Sequence, residues 1–237
     1  MHADLSMARY PFPVMVLERL PGHDLGAVYR RLSRSELQRI AERLAAIQGI
    51  VTALPPGRGF GYATRQNGPF PQASWAEVVT ASLARSRRRI VAAGIIDDRV
   101  VDAVQAAARP FADYLAAVRP VPFLHDITTK NVIVNEGHLS GIVDVDDLCF
   151  GDPLLLLALI RMALLAHEFD PAYYQEWVRL VAPDARQTAV LDLYTALYCV
   201  DFMSELGLRS NREPVPVDPS YLARLQALLT RLLERIA

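Results

Sequence analysis

Residues 123–153 limit the fold of this chain more than any other stretch, because two short β-branched runs there flank a turn sequence. The first run is Val132-Ile133-Val134 and the second is Gly141-Ile142-Val143. Between them lies Asn135-Glu136-Gly137, which is typical of a tight hairpin turn. The pattern therefore predicts an antiparallel β-hairpin.

Polar side chains lie at the open end of this predicted hairpin. Asp126 and Asn131 precede the first strand, and Asp144 follows the second. An antiparallel pair places the start of one strand beside the end of the other, so we expect the three side chains to converge. Carboxylate and amide oxygens suit Mg²⁺, which usually takes its further ligands from substrate phosphates. The arrangement therefore indicates phosphoryl transfer.

The spacing of these residues matches that of a kinase catalytic loop. In kinases an Asp is followed by four residues and an Asn, and a second Asp comes one hairpin later. Asp126, Asn131 and Asp144 have this spacing, and Gly151-Asp152-Pro153 follows at the matching separation. The stretch resembles the bacterial aminoglycoside phosphotransferases and the related choline- and homoserine-kinase-like small-molecule kinases.

The resemblance implies a role for each of these side chains. Asp126 would be the catalytic base that orients the acceptor hydroxyl, and Asp152 would brace the loop. Asn131 and Asp144 would be the Mg²⁺ ligands. Lys130, the only lysine of the chain, stands where its point charge can reach the transferring phosphate. The implied reaction moves the γ-phosphate of ATP, or of another nucleoside triphosphate, to a hydroxyl of a small molecule.

The loop also departs from the family pattern. The usual His two residues before the catalytic Asp is Leu124 here, and the intervening Gly is His125. We therefore expect the loop backbone to be supported differently. Asp146 and Asp147 fit either a supporting role behind the metal ligands or an exposed loop, and the exposed loop is the favoured interpretation.

The N-terminal segment provides a candidate nucleotide site. Residues 14–17 predict a buried strand, and Pro21-Gly22 then turns the chain. The resemblance makes this segment the hinge between two lobes, where backbone groups of Glu18, Arg19 and Leu20 would hold adenine. The residues alone are explained equally well by an ordinary strand and turn.

Most of the remaining chain predicts helices. Capping boxes stand at Ser33–Glu36 and Ser74–Glu77, and Pro110 should kink one helix. The glycine-rich residues 57–61 are rejected as a phosphate loop, because no strand precedes them and no helix follows. Helical periodicity begins after Ser33, Ser74, Asp97, Pro153, Asp170, Asp184 and Asp218.

Charged residues on these helices have two interpretations. The run of Arg85, Arg87, Arg88 and Arg89 fits a phosphate contact, but a solvated face is favoured. Glu168, Asp201 and Glu205 could receive a cationic substrate, but surface positions are favoured.

These patterns predict an α+β chain dominated by helices. By resemblance it is the C-terminal lobe of a protein-kinase-like fold, with a catalytic hairpin and a short N-terminal hinge strand. Residues 1–22 would be a remnant of the N-terminal lobe and the hinge. Residues 23–237 would be the helical lobe, with the catalytic loop at 123–153.

A kinase site also needs a Gly-rich loop over the phosphates and a lysine on a strand. Neither has a counterpart before the predicted hinge, and the single lysine lies in the catalytic loop. Three explanations compete: a gene fragment or late start, a degenerate kinase that binds without catalysis, and completion by a partner. The first is favoured because the charged groups of the site are all present. Apolar surface beside the absent lobe would favour self-association.

Composition narrows the function classes. Hydrophobic residues make up 52% of the 237 residues, enough for a core, and the net charge of -1 provides no field to attract nucleic acid. Two distant cysteines suit free thiols in a reducing cytosol, and no apolar run is long enough to span a membrane. We therefore expect a cytoplasmic protein whose partner is a small hydroxylated acceptor.

Two rival functions remain at this point. One is a kinase-like binding or regulatory module without catalysis, and the other is a metal-dependent phosphoesterase that uses the same carboxylates with water. The family resemblance leaves the acceptor open among aminoglycosides, macrolides, choline, sugars and homoserine.

Overall fold

The computed structural model describes residues 2–4, 6–12, 14–62, 70–145, 148–210, 213–214 and 216–236. Helices dominate and short antiparallel strands complete the fold, which confirms the predicted α+β class. The helices are α1 (Leu25–Val28), α2 (Arg34–Thr52), α3 (Trp75–Ala93), α4 (Arg99–Ala108), α5 (Ala112–Ala117), α6 (Leu154–Ala166), α7 (Ala172–Val181), α8 (Ala185–Glu205) and α9 (Pro219–Ile236). Single 3₁₀ turns lie at Tyr29–Arg31 and Arg109–Phe111.

The strands are short and pair only in antiparallel fashion. They are β1 (His2–Asp4), β2 (Val14–Val16), β3 (His23–Asp24), β4 (Gly61–Tyr62), β5 (Val121–Leu124), β6 (Val132–Asn135), β7 (His138–Ile142), β8 (Leu148–Gly151), β9 (Arg209–Ser210) and β10 (Glu213–Pro214). Two sheets of three strands carry the candidate site, with the orders β3-β6-β7 and β4-β8-β5. The other strands form two-stranded pairs, β1 with β2 and β9 with β10.

The predicted hairpin is present as β6 and β7. Val132 pairs with Ile142 and Asn135 with His138. Glu136 and Gly137 form the turn with φ values of 50° and 75°, the left-handed conformation that a two-residue hairpin turn requires. A bulge between Ile133 and Val134 shifts the register within the pair.

Strands β4, β5 and β8 were not predicted from sequence. Pro122 lies within β5 and counts against a strand, but β5 is the edge strand of its sheet, where a missing N–H is tolerated. β4 is only two residues long and has no pattern of its own. Cross-strand pairing over long sequence distances therefore defines this sheet.

Helix α8 is the centre of the helical layer. Every residue from 190 to 200 is buried, and the helix packs against α3, α6 and α9. Helix α2 lies apart from α8 and packs against α7 and β5. Apolar burial of this kind contributes roughly 25 cal/mol per Å² of area removed from water.

Most predicted helix boundaries are confirmed by their caps. Ser33 and Glu36 form the full capping box of α2, and α3 ends at Gly94 with φ at 64°. At the start of α3 only half of the predicted box is present, because the Glu77 carboxylate accepts from the N–H of Ala73 instead of Ser74. Pro110 was predicted to kink one helix. Instead it lies in a 3₁₀ turn that separates two helices, α4 and α5.

Two predicted details, a buried strand and a helix cap, are wrong. Residues 14–17 form a strand over Val14–Val16, but the segment is not buried: Met15 and Leu17 are 61% and 59% exposed, since nothing in the described structure packs over them. Asp97 was predicted to cap α4, but the N-cap is the next residue, Asp98. The Asp97 carboxylate still accepts a hydrogen bond from the N–H of Arg99.

Candidate active site

Asp126 and Asn131 are in direct contact at the open end of the hairpin. Asp126 follows β5 after one residue, and Asn131 immediately precedes β6. The Asn131 side-chain Nδ2 donates to the backbone oxygen of Asp126 at 2.9 Å and to its carboxylate Oδ2 at 3.0 Å. These two bonds fix the amide plane, so the Oδ1 oxygen of Asn131 faces away from Asp126.

The backbone of the loop is held from several sides. The N–H of Asn131 donates to the Thr128 carbonyl at 3.0 Å, and the N–H of Gly26 at the start of α1 donates to the Thr129 carbonyl at 3.0 Å. The N–H of Leu124 donates to the side-chain Oε1 of Gln48 at 3.1 Å. Asp126 therefore lies in a loop anchored to both α1 and α2.

Gln48 was missed by the sequence analysis. It is 6% exposed and continues the buried stripe of α2 after Leu44. An uncharged polar residue at a core position of an amphipathic helix was the available signal, since buried polar groups are normally hydrogen-bonded. Gln48 supplies support at Leu124, the position where the family pattern has a His.

Asp144 is attached to the same end of the hairpin. The N–H of Val143 donates to the Asn131 carbonyl at 2.9 Å, so the following residue, Asp144, lies beside the loop. Asp144 is exposed and has φ at 57°. A non-glycine residue in this left-handed region carries strain of about 1 kcal/mol or more, which is common at functional sites. Asp146 and Asp147 lie outside the described residues.

The donors at this end of the hairpin fit a magnesium ion. They are two carboxylates, Asp126 and Asp144, and the oriented amide oxygen of Asn131. Within the described part of the chain, no group of three or more His, Cys, Asp and Glu side chains could hold a metal. A sparse set of hard oxygen donors suits Mg²⁺, which keeps most of its coordination sphere for water and phosphate.

Lys130 lies on the exposed side of the loop. Burial lowers the pKa of His167, and the charges of Arg224, Lys130 and Arg30 lower it further. The ammonium group of Lys130 is therefore within electrostatic reach of His167, just beyond the end of α6. Its predicted contact with the transferring phosphate stays a prediction.

The predicted hinge residues lead directly into the catalytic hairpin. Glu18 and Arg19 are exposed, while Leu20 covers Gly141 of β7 so closely that a Cβ there would lie 2.6 Å from its Cδ1. Gly22 has φ at 108°, and a Cβ at this position would lie 2.2 Å from the Val134 carbonyl oxygen. Only glycine fits this turn, and Leu20 lies against β7 of the hairpin.

A cavity of about 340 Å³ opens beside Asp126, between β4, α3 and α8. His125, at the position of the family's Gly, lines this cavity. Its Nε2 lies 2.5 Å from the Tyr198 hydroxyl and 3.1 Å from the Tyr62 hydroxyl. Burial lowers the pKa of His125 to about 4, with a smaller opposing effect from Asp201. The imidazole is therefore neutral at pH 7.

Asp152 is buried and joins α5, α6 and α8, while its predicted role in bracing the loop stays a prediction. Its buried carboxylate accepts from the hydroxyls of Tyr114 and Tyr194, at 2.9 and 3.0 Å, and from the N–H of Leu154 at 3.1 Å. The Trp75 indole N–H donates to the Tyr194 hydroxyl at 2.7 Å. Burial raises the pKa of Asp152, and the three hydrogen bonds oppose that shift.

The surface position favoured for Asp201 is wrong. Its side chain is 15% exposed, lines the cavity, and accepts from Arg85 and Ser86 at 3.2 and 3.0 Å. Arg89 lies 3.5 Å from the same carboxylate. Arg85 and Arg89 of the arginine run therefore pair with an acidic side chain, although 41% and 33% of their side chains stay exposed. Arg88 is exposed, as expected.

Comparison with known proteins gives a family and a fold. The model of the phosphotransferase enzyme family matches residues 2–194 of the chain. No curated protein matches by sequence. No helix in the described part of the chain is long and apolar enough to cross a membrane.

Solved structures with similar folds share little sequence with this chain. Aminoglycoside phosphotransferase APH(4)-Ia aligns with a TM-score of 0.60 and 17% identity, over 93% of this chain and 71% of that one. A thermostable mutant of it, in ternary complex with AMP-PNP and hygromycin B, gives 0.58 and 18%, over 92% and 70%. The streptomycin–ATP–APH(2'')-IIa ternary complex gives 0.56 and 12%, over 94% and 71%. These likenesses show a kinase-like aminoglycoside phosphotransferase fold.

Proposed function

Because the chain belongs to the phosphotransferase enzyme family, we propose that it transfers the γ-phosphate of a nucleoside triphosphate to a hydroxyl group of a small molecule. The observation that carries this proposal is the contact between Asp126 and Asn131 at 3.0 Å, with Asp144 attached to the same end of the hairpin. The sequence spacing suggested a catalytic loop, and the contact between Asp126 and Asn131 supports this proposal.

In the proposed reaction, Asp126 accepts the proton of the acceptor hydroxyl. The hydroxyl oxygen forms a bond to the γ-phosphorus, while the bond from that phosphorus to the β–γ bridging oxygen breaks. The products are a phosphate monoester and the nucleoside diphosphate. The hydrogen bonds from Asn131 hold the Asp126 carboxylate in place, so the acceptor meets a positioned base.

Asn131 and Asp144 are the residues that would hold Mg²⁺. When bound, such an ion neutralises phosphate charge during transfer. Both residues lie at the end of the hairpin that adjoins the loop of Asp126, so the phosphates and the acceptor hydroxyl would meet there. Glu18, Arg19 and Leu20 would hold the nucleoside base by their backbone groups, and Lys130 would contact the transferring phosphate.

A second candidate is a module that binds nucleotide without transferring phosphate. The exposure of Met15, Val16 and Leu17 favours it, because the segment that would lie against the nucleotide is uncovered in the described structure. Phosphate groups that stay in water gain little from electrostatic stabilisation. Nucleotide binding without any acceptor-dependent product would support this candidate.

The test is Asp126→Asn, assayed with Mg²⁺–ATP and a panel of small hydroxylated acceptors by mass spectrometry of the phosphorylated product. Loss of a general base lowers turnover by about 10²–10⁴-fold. Asp113→Asn, an exposed carboxamide substitution on α5, is the matched control and should keep full turnover. Near-normal turnover by Asp126→Asn would show that Asp126 is not the base.

A further inference from the structure

The walls of the cavity beside Asp126 are mainly apolar and aromatic. Its volume of about 340 Å³ is at the small end of the range of about 300–1,000 Å³ for ligand pockets. Its apolar lining comes from α3, α6 and α8 and includes Val79, Leu155, Leu159, Leu197 and Phe202. A ligand here must present an apolar face to most of the wall.

The charges around the cavity are few and largely compensated. Among the described lining residues, the acidic and basic side chains besides His125 are Arg85, Asp126 and Asp201. Asp201 is paired with Arg85 at 3.2 Å and lies 3.5 Å from Arg89. A cationic ligand would therefore meet a guanidinium at the cavity wall, next to a carboxylate that two arginines already neutralise.

The polar groups that face the inner end are two phenol hydroxyls and an imidazole. Tyr62 and Tyr198 flank His125, whose imidazole is within hydrogen-bond distance of both hydroxyls. The Tyr62 ring stands edge-on to the imidazole, with ring centroids 5.0 Å apart. Hydroxyl and imidazole groups can donate to or accept from a hydroxyl or an ether oxygen, but they carry no negative charge that could neutralise an ammonium group.

From these observations we propose that the acceptor is a small, uncharged alcohol carrying an apolar ring, and not a polycation. The inference rests on the proposed function, because it requires the acceptor hydroxyl to reach Asp126 from this cavity. The apolar wall covers the ring, and the Tyr62–His125–Tyr198 group recognises a second oxygen of the ligand. An amino-substituted acceptor is disfavoured because its ammonium group would lose water against a mainly apolar wall and the Arg85 guanidinium, while the acceptor hydroxyl occupies the Asp126 carboxylate.

The test uses matched pairs of aryl glucosides that differ by one ammonium group. One pair is phenyl β-D-glucopyranoside and phenyl 2-amino-2-deoxy-β-D-glucopyranoside, with further pairs built on naphthyl and cyclohexyl rings. Binding to the full chain is measured by calorimetry without nucleotide. In each pair of glucosides that binds, we expect the neutral member to bind at least about tenfold more tightly than the ammonium member.

Three variants locate the binding and its charge preference. Ala81→Trp, at an exposed helical position on the cavity wall, should fill the cavity and abolish binding of the neutral members. Arg85→Gln should reduce the affinity ratio between the neutral and the ammonium members by about threefold or more. The reason is that Asp201 loses one of its two guanidinium partners. Arg88→Gln, an exposed arginine of the same helix outside the cavity lining, is the matched control and should change neither affinity.

Equal or tighter binding of the ammonium members would overturn the inference, and so would a lack of binding by every pair. Failure of the proposed function is distinguishable from this outcome. If the neutral members bind but gain no phosphate from Mg²⁺–ATP, phosphotransfer fails while the preference of the cavity stands. If the ammonium members are phosphorylated preferentially, phosphotransfer stands and the inferred acceptor class is wrong.

Discussion

His125 is the residue at which this chain departs most visibly from the family motif. A glycine at that position would leave an open space beside the catalytic loop, whereas the imidazole here contributes to the cavity wall between Tyr62 and Tyr198. The imidazole therefore changes the wall of the cavity while leaving the Asp126–Asn131 contact in place. Gln48 compensates for the other departure, at Leu124.

The titration of His125 should make the stability of the fold sensitive to acid. The unfolded imidazole takes up a proton near pH 6.5, whereas burial lowers the folded pKa to about 4. The free energy of unfolding should therefore fall as the pH decreases from about 6.5 to about 4, by on the order of 3 kcal/mol. Urea unfolding of the wild type and of His125→Gln across this range measures the effect. The variant should lose less stability than the wild type as the pH decreases. If the free energies of unfolding of the two proteins fall in parallel, His125 is not buried in its neutral form.

At the scale of elements, the site depends on the end of the hairpin and on the packing behind it. The hairpin and the helix caps were predictable, because Glu136-Gly137, Ser33 and Gly94 act through local backbone geometry. The spacing of Asp126 and Asn131 likewise indicated their contact. Strand β5 was not predictable, because Pro122 is tolerated only through the edge position that β5 takes beside β8.

The cavity was hidden from sequence patterns for a related reason. Tyr62 lies 63 residues before His125, and Tyr198 lies 73 residues after it. Their meeting depends on how β4 and α8 pack against the loop, which no local periodicity encodes. Asp201 was misjudged in the same way, because its partner Arg85 comes from a different helix.

Asp144→Asn tests whether the open end of the hairpin binds a metal ion. Asparagine tolerates the left-handed φ of 57° at this position, so the fold should be unchanged. The loss of one anionic ligand should raise the Mg²⁺ concentration that nucleotide binding requires by about tenfold or more. Calorimetric titration of ATP at a series of magnesium concentrations measures this, with Asp113→Asn as control. An unchanged magnesium response would mean that Asp144 is not a ligand.

Asp152→Ala tests the packing behind the cavity. The substitution leaves the hydroxyls of Tyr114 and Tyr194 and the N–H of Leu154 without their shared acceptor. Because these groups join α5, α6 and α8, we expect a loss of about 3 kcal/mol in the free energy of unfolding. Denaturant titration checks this, and Asp113→Ala on the exposed face of α5 should cost little. A loss below about 1 kcal/mol would show that the network contributes little to stability.

For the whole molecule, the contrast lies between a well-packed helical layer and an uncovered N-terminal pair of strands. Residues 190–200 of α8 are all buried, whereas Met15, Val16 and Leu17 are each more than half exposed. An apolar patch of this kind on a small domain favours association with another surface. The described structure thus combines a packed helical layer with an exposed apolar surface at β2 and Leu17.

We therefore expect the chain to self-associate through this surface. Sedimentation velocity at increasing protein concentration should show a rising mean sedimentation coefficient for the wild type. The double variant Met15→Ser, Leu17→Ser should remain monomeric over the same range, since the apolar patch is removed. As a control, Ile50→Ser changes an exposed apolar residue on α2 and should behave as the wild type. Identical sedimentation of wild type and double variant would exclude this surface as the cause.

The fate of labelled phosphate tests the proposed transfer most directly. The chain is incubated with Mg²⁺ and ATP labelled in the γ-phosphate, with and without the neutral ring-bearing alcohols, and the labelled products are separated. Transfer predicts a labelled phosphate monoester of the alcohol that depends on both the acceptor and Asp126. Label found only as inorganic phosphate, or retained in ATP that binds without turnover, would contradict phosphoryl transfer to a hydroxyl.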